Sequence, residues 1–263
     1  MTLAERIPWP LTSLHRSAPR YLVLRRGTTR LRVLLPSSAD RPATVYLDQA
    51  TDMPGAALLR EAVEAAHHAC SARCEVVTQA LSPAQAQIFV DAGGSILQHL
   101  VVLRLDWAQV DRSRANRRPT TRRPNLRRAR VGDLAAAEYI DQRAFGVAWA
   151  FDRAALLDAY RVTADGRFRV ALDERRAVVA FAVSGRSNEH GYLQRLAVDP
   201  AHAGRGIGGQ LVADSIGWFE RGGCDDVTVN TRPDNARALA LYETFGFRRV
   251  EPGLVQVSLG ELA

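Results

Sequence analysis

Four glycines crowd one short stretch, Ala203-Gly204-Arg205-Gly206-Ile207-Gly208-Gly209, directly after an apolar run that ends Leu196-Ala197-Val198-Asp199-Pro200. Glycine removes side chains where a strand hands over to a helix, so backbone N–H groups there can approach a ligand closely. A helix start carries partial positive charge, which favours a phosphate or pyrophosphate. Farther on, Asn235 and Tyr242 lie two helical turns apart in NARALALYETFGF and therefore share one helix face. Each feature alone has a plainer reading. A glycine-rich turn can be a structural joint or hold another phosphate ligand, and Tyr242 suits a core position with its hydroxyl satisfied.

The elements that must position these residues follow from periodicity. Tyr192 to Val198 reads as a strand that runs into the glycine turn. Ile207 to Arg221 carries Leu211, Val212, Ile216 and Phe219 at helical spacing and stops at Gly222-Gly223. A strand at Asp226 to Asn230, a helix at Asn235 to Phe245 and a last strand near Leu254 to Leu259 complete the unit. Upstream, a strand at Leu126 to Val131 precedes helices at Leu134 to Phe145 and Arg153 to Val162. RFRVAL and AVVAFAV then alternate as antiparallel strands joined by a turn at Asp173 to Arg176. In this order the motifs suggest a coenzyme A site.

The segment Gly191 to Phe247 resembles the acetyl-CoA-binding core of the GNAT superfamily of N-acetyltransferases, and the resemblance extends over Leu126 to Leu259. It implies an α/β fold of GNAT type, a mixed, mostly antiparallel sheet flanked by helices, preceded here by a smaller α/β domain. It implies acetyl-CoA as donor, with Leu196, Ala197 and Val198 binding the pantetheine arm where a bulge splays the fourth strand from the fifth. Pyrophosphate would lie on Ala203, Gly204, Arg205, Gly206, Ile207, Gly208 and Gly209, and Asn235 would hold the pantetheine. The family usually has Gln or Arg at the place of Ala203; backbone N–H groups make most of those contacts, and Arg205 offers compensating charge. Tyr242 takes the role of general acid toward the leaving thiolate. Many relatives place a carboxylate two or four residues before Leu196, but Gln194 and Tyr192 stand there. Strand alternation puts His190 on their face, which makes it the candidate base, with a surface histidine as the alternative. The implied reaction is direct acetyl transfer, in a ternary complex, to a primary amine on a small molecule or a protein N-terminus. The segment AFGVAWAFD lies where the family selects its acceptor, with Phe145 read as packing and Trp149 and Phe151 left open.

Residues 1–110 repeat the later part of that order. RYLVLRR, TRLRVLL and ATVYLDQ read as strands, followed by a helix at Ala56 to Ala72, a strand at Cys74 to Thr78, a helix at Pro83 to Asp91 and a strand at Ser95 to Leu105. This half is either a degenerate GNAT-like unit without the two early helices and the glycine turn, or an unrelated accessory α/β domain. An Arg/Pro-rich linker at 111–125 joins it to the acetyltransferase domain at 126–263. All the charged basic residues are arginine, and residues 111–130, with nine Arg and one Asp, sum to +8 while the rest of the chain nearly balances, for a net charge of +7. Without a face to bury, that stretch reads as an extended, solvated linker; contact with nucleic acid or the ribosome is the alternative. A non-catalytic acyl-CoA-binding scaffold with an arginine-rich docking linker is the rival to the enzyme.

Cys70, Cys74 and Cys224 form an odd set without disulfide spacing, so free thiols are expected. His67, His68, Cys70 and Cys74 fall close together, but on a helix that needs its apolar face, so no metal site is expected. No secretory or membrane-spanning run is evident, which gives a cytoplasmic location as the default expectation.

Overall fold

Alternating apolar and polar residues set the strands, and the sheet they build joins the two halves of the chain. The computed structural model describes residues 21–36, 41–47, 53–70, 74–109 and 125–260. In the first half, β1 (Tyr21–Arg26), β2 (Thr29–Leu34) and β3 (Ala43–Leu47) are followed by α1 (Ala56–Ala69), β4 (Val76–Thr78), α2 (Pro83–Asp91) and β5 (Ser95–Asp106). The second half contains β6 (Asn125–Arg128), α3 (Leu134–Phe145), α4 (Arg153–Arg161), β7 (Asp165–Leu172), β8 (Val178–Ser187), β9 (His190–Val198), α5 (Ile207–Arg221), β10 (Asp226–Thr231), α6 (Ala236–Thr244) and β11 (Arg248–Ser258). The linker expected at 111–125 falls almost wholly on residues outside those described.

These strands form one 11-stranded sheet in the order β1-β2-β3-β4-β11-β5-β10-β9-β8-β7-β6. The two halves exchange their closing strands. β5 pairs antiparallel with β10, and β11 pairs with β4 and β5. Leu103 and Leu105 of β5 are consequently buried in the core of the second half with Leu211, Phe219 and Val227. In return Val255 and Val257 of β11 are buried with Leu58, Leu59 and Phe89 of the first half. Burying a leucine side chain is worth about 1.5–3 kcal/mol, so the exchange locks the halves together.

Helices cover the two halves unequally. In the second half α5 and α6 pack on one face of the sheet, while Ile140 of α3 and Leu156 of α4 pack on the other against Phe168 and Phe181. In the first half α1 and α2 pack on the face that carries Ala43, Val45, Leu47 and Val76. The opposite face, with Thr44, Tyr46, Glu75, Val77 and Gln79, has no counterpart of α3 and α4 among the described residues.

One expectation is corrected. Cys70 and Cys74 are joined in a disulfide rather than standing as free thiols. α1 stops at Ala69 and Cys70 is already extended, so its side chain is no longer committed to the helix face and can meet Cys74 just ahead of β4, with the two Cα atoms 6.3 Å apart. Cys224 is free and buried.

Candidate active site

The site begins where two parallel strands part. β9 and β10 pair only over His190–Tyr192 and Asp226–Thr228. Just beyond, Gln194 is extra in the register with β8, because Arg195 faces Val183 while Leu193 faces Ser184. Such a bulge bends its strand and increases its twist. Past Tyr192, β9 has no partner on its β10 side among the described residues, so backbone groups of Leu193–Val198 on that side can bind an extended ligand as a strand would.

The opened strand runs into the glycine turn. Gly204 (φ 78°) and Gly206 (φ 74°) are left-handed, a conformation that disfavours residues with a Cβ, and Gly206 is the N-cap of α5. Gly206 supplies its carbonyl to Gln210 N–H at 3.1 Å, which leaves the N–H groups of the first helical turn without intrahelical partners. Arg237 on α6 reaches over this turn, so that a Cβ on Gly204 would lie 3.8 Å from its Nη2. An unsatisfied helix start beside a guanidinium is built for an anion.

A cavity of about 950 Å³ joins these features. Leu196, Ala197, Val198, Ala203, Gly204, Gly206, Ile207, Gly208, Gly209, Asn235 and Tyr242 all line it, whereas Arg205 and His190 do not. His190 sits at the closed end of the strand pair, where its Nδ1 lies 2.9 Å from an Asp226 carboxylate oxygen that also binds Arg104. It shares β9 with the cavity residues, but the cavity opens only after Tyr192.

Asn235 has a structural task at the cavity wall. Its Oδ1 accepts from Ala238 N–H at 3.2 Å as the N-cap of α6, and its Nδ2 donates to Thr231 Oγ1 at 3.1 Å. Tyr242, two turns farther along, is 6 % exposed and packs on Phe247. Burial pushes its phenol up to about 12, opposed by the positive charge of Arg195. At neutral pH the hydroxyl therefore keeps its proton and can donate it.

Residues that sequence reasoning missed build the other end. Arg195 of β9 lies between the rings of Phe145 and Phe151, with Cζ 3.6 and 4.1 Å from their centroids. It donates to both carboxylate oxygens of the fully buried Asp141, at 2.8 and 2.6 Å, and to the Trp149 carbonyl at 2.8 Å. Asp141 also accepts from Phe151 N–H at 2.6 Å. This network fixes the segment between α3 and α4 over the cavity. A charged residue within LQRLAV and another on the apolar face of α3 were the available signals.

The first half closes the cavity from below with Thr44, Tyr46, Glu75, Val77, Gln79 and Gln98. Arg41 Nη1 donates to the Ala150 carbonyl at 3.0 Å and ties this wall to the segment above. Among the described residues no group of three or more His, Cys, Asp or Glu is placed to hold a metal. His67 Nε2 lies 3.1 Å from the Cys74 carbonyl oxygen, and both nearby cysteines are committed to the disulfide.

The comparisons with known proteins agree with this geometry. A profile of the acetyltransferase (GNAT) family matches residues 134–247. The chain is 31% identical over 115 residues to the [ribosomal protein bS18]-alanine N-acetyltransferase of Escherichia coli (strain K12), spanning 44% of this chain and 74% of that protein. It is 39% identical over 61 residues to N-alpha-acetyltransferase 30 of Saccharomyces cerevisiae, spanning 23% of this chain and 35% of that one. In fold it is similar to a tandem GNAT protein from the clavulanic acid biosynthesis pathway, with TM-score 0.63 and 17% identity over 94% of this chain and 86% of that chain. With an opened strand pair, a left-handed glycine turn and a buried tyrosine in one cavity, and a relative matched over most of its length, the chain belongs to the GNAT family of N-acetyltransferases.

Proposed function

We propose that the protein transfers the acetyl group of acetyl-CoA to a primary amine by direct attack in a ternary complex. The observation that carries this reading is the parting of β9 from β10 immediately before a glycine turn that caps α5, with Tyr242 lining the same cavity. The pantetheine arm lies along the free edge of Leu193–Val198, and the pyrophosphate lies on the N–H groups of Ile207, Gly208 and Gly209 with Arg237 beside them. The neutral amine attacks the thioester carbon, and a backbone N–H near Val198 polarises the carbonyl. The C–S bond breaks as the tetrahedral intermediate collapses, and Tyr242 donates its proton to the departing thiolate. His190 is turned to Asp226 and plays no part; the proton of the amine leaves through water in the cavity. Family relatives that acetylate an alanine of a ribosomal protein support an amine acceptor. The test is release of free thiol from acetyl-CoA across an amine panel. Turnover with at least one primary amine is expected, and tight acetyl-CoA binding with no turnover of any amine would turn the reading toward a scaffold.

A further inference from the structure

We propose that the bare sheet face of the first half is the acceptor site, and that the acceptor is a small diamine whose non-reacting ammonium is held by Glu75 with Tyr46 beside it. This rests on the acetyl-transfer reading above and names its substrate class.

Three observations point there. First, no helix among the described residues covers this face, and most of its side chains are polar. Ala43, Val45 and Leu47 of β3 and Val76 of β4 turn toward α1 and α2, while Thr44, Tyr46, Glu75 and Gln79 line the cavity around Val77. A sheet face without helices that is kept polar is built to be wetted or to bind a hydrophilic ligand.

Second, charge is segregated along the cavity. Arg237 stands at the glycine turn, whereas Glu75 and Asp152 stand at the end made by the first half and the segment above it. Two further arginines of the lining are matched by carboxylates: Arg195 by Asp141 and Arg232 by Asp234, each at 2.6 Å. Two arginines stand beside these carboxylates, but the Arg41 guanidinium is turned to the Ala150 carbonyl and the Arg32 guanidinium lies over the Tyr21 and Tyr46 rings. Glu75 has no ion pair with any described residue, and Asp152 uses one oxygen, Oδ1, to accept from Ala155 N–H at 2.8 Å. The end that suits pyrophosphate is cationic, whereas at the opposite end the Glu75 carboxylate is left without a counter-charge from any described residue.

Third, the two walls are tied where Glu75 lies. Ala43 N–H donates to the Glu75 carbonyl at 2.7 Å, and Arg41, two residues earlier, donates to the Ala150 carbonyl at 3.0 Å. The Tyr46 ring is held by the Arg32 guanidinium, 5.7 Å from its centroid, and its hydroxyl has no hydrogen-bond partner among the described residues. Burial, opposed by Arg32 and assisted by Asp152, raises its pKa, so it stays a phenol able to donate and accept.

Chemistry selects a diamine from among the amines. The attacking nitrogen must be neutral, whereas a carboxylate favours the protonated form of any amine it touches. The nitrogen held at Glu75 is therefore a second one, and Trp149 and Phe151 offer apolar surface to the methylenes between the two.

The test compares 1,3-diaminopropane, propylamine and an alanine-starting hexapeptide as acceptors for the full chain, with acetyl-CoA affinity measured in parallel by calorimetry. The diamine is expected to exceed propylamine in kcat/KM by about tenfold, the worth of one good charge contact. Glu75→Gln should remove that preference, and Tyr46→Phe should raise the KM for the diamine, with acetyl-CoA affinity unchanged in both variants. A preference for the peptide, or a diamine preference that survives Glu75→Gln, overturns the proposal. Wild-type protein that does not bind acetyl-CoA overturns the donor reading and this one with it, a failure distinct from the first two.

Discussion

The two halves share an element order but differ at the places where a cofactor would bind. In the second half β9 and β10 pair over three positions and then part, and α5 starts at a left-handed glycine. In the first half β3 and β4 also pair over three positions, Ala43–Val45 with Val76–Thr78, but β3 keeps an unbroken register with β2 where β9 bulges against β8, and α1 starts at Gly55 with ordinary extended backbone (φ −78°). The second half has helices on both faces; among the described residues the first has them on one. The difference teaches how one architecture divides labour. A bulged strand and a helix capped by a left-handed glycine suit the proposed donor site, while a sheet face that no described helix covers suits the proposed acceptor chamber.

The strongest break of this contrast is Gly206→Asp. Aspartate at φ 74° is strained, and its charge would oppose a pyrophosphate, so acetyl-CoA affinity should fall by more than about 100-fold in calorimetry. Asp141→Ala comes next. It strips a fully buried partner from Arg195 and leaves Phe151 N–H without its acceptor, and chemical denaturation should show a loss of about 3–5 kcal/mol. Tyr242→Phe should lower kcat by about 10- to 100-fold with little change in acetyl-CoA affinity. Because burial holds the Tyr242 phenol up to about 12, its protonated, donating form persists through the ordinary tyrosine range. Turnover should therefore show no alkaline loss near pH 10, and a loss there that disappears in Tyr242→Phe would contradict the assignment. The smallest effect belongs to His190→Ala, which should leave kcat within about twofold, since His190 lies at the closed end of the strand pair.

Much of this division was legible in the sequence where the signal was local. The bounds of α3 and α5 match the helical spacing read from Leu134–Phe145 and Ile207–Arg221, because continuous apolar periodicity and the Gly222-Gly223 stop are properties of neighbouring residues. The glycine turn was legible for the same reason. The acceptor end was not. Glu75 and Asp152 line one cavity although they belong to different halves, a placement that no local pattern encodes. Arg195 was hidden because its partner Asp141 lies on a distant helix, and the sequence offers two isolated charges in apolar settings. His190 falls outside the cavity because period-two alternation reports a face and says nothing of where paired strands separate. The disulfide was missed because it depends on α1 ending at Ala69, whereas the periodicity carried that helix on to Ala72 and kept Cys70 on its face.

Calorimetric titration of the purified chain with acetyl-CoA, with free CoA and ATP as controls, tests the central claim most directly. One acetyl-CoA bound per chain at micromolar affinity, with CoA binding similarly and ATP not at all, is expected from a donor site confined to the second half. Two molecules per chain would show that the first half retains a donor site, and no binding of either CoA species would contradict the assignment of the β9–β10 opening as the place where the cofactor lies.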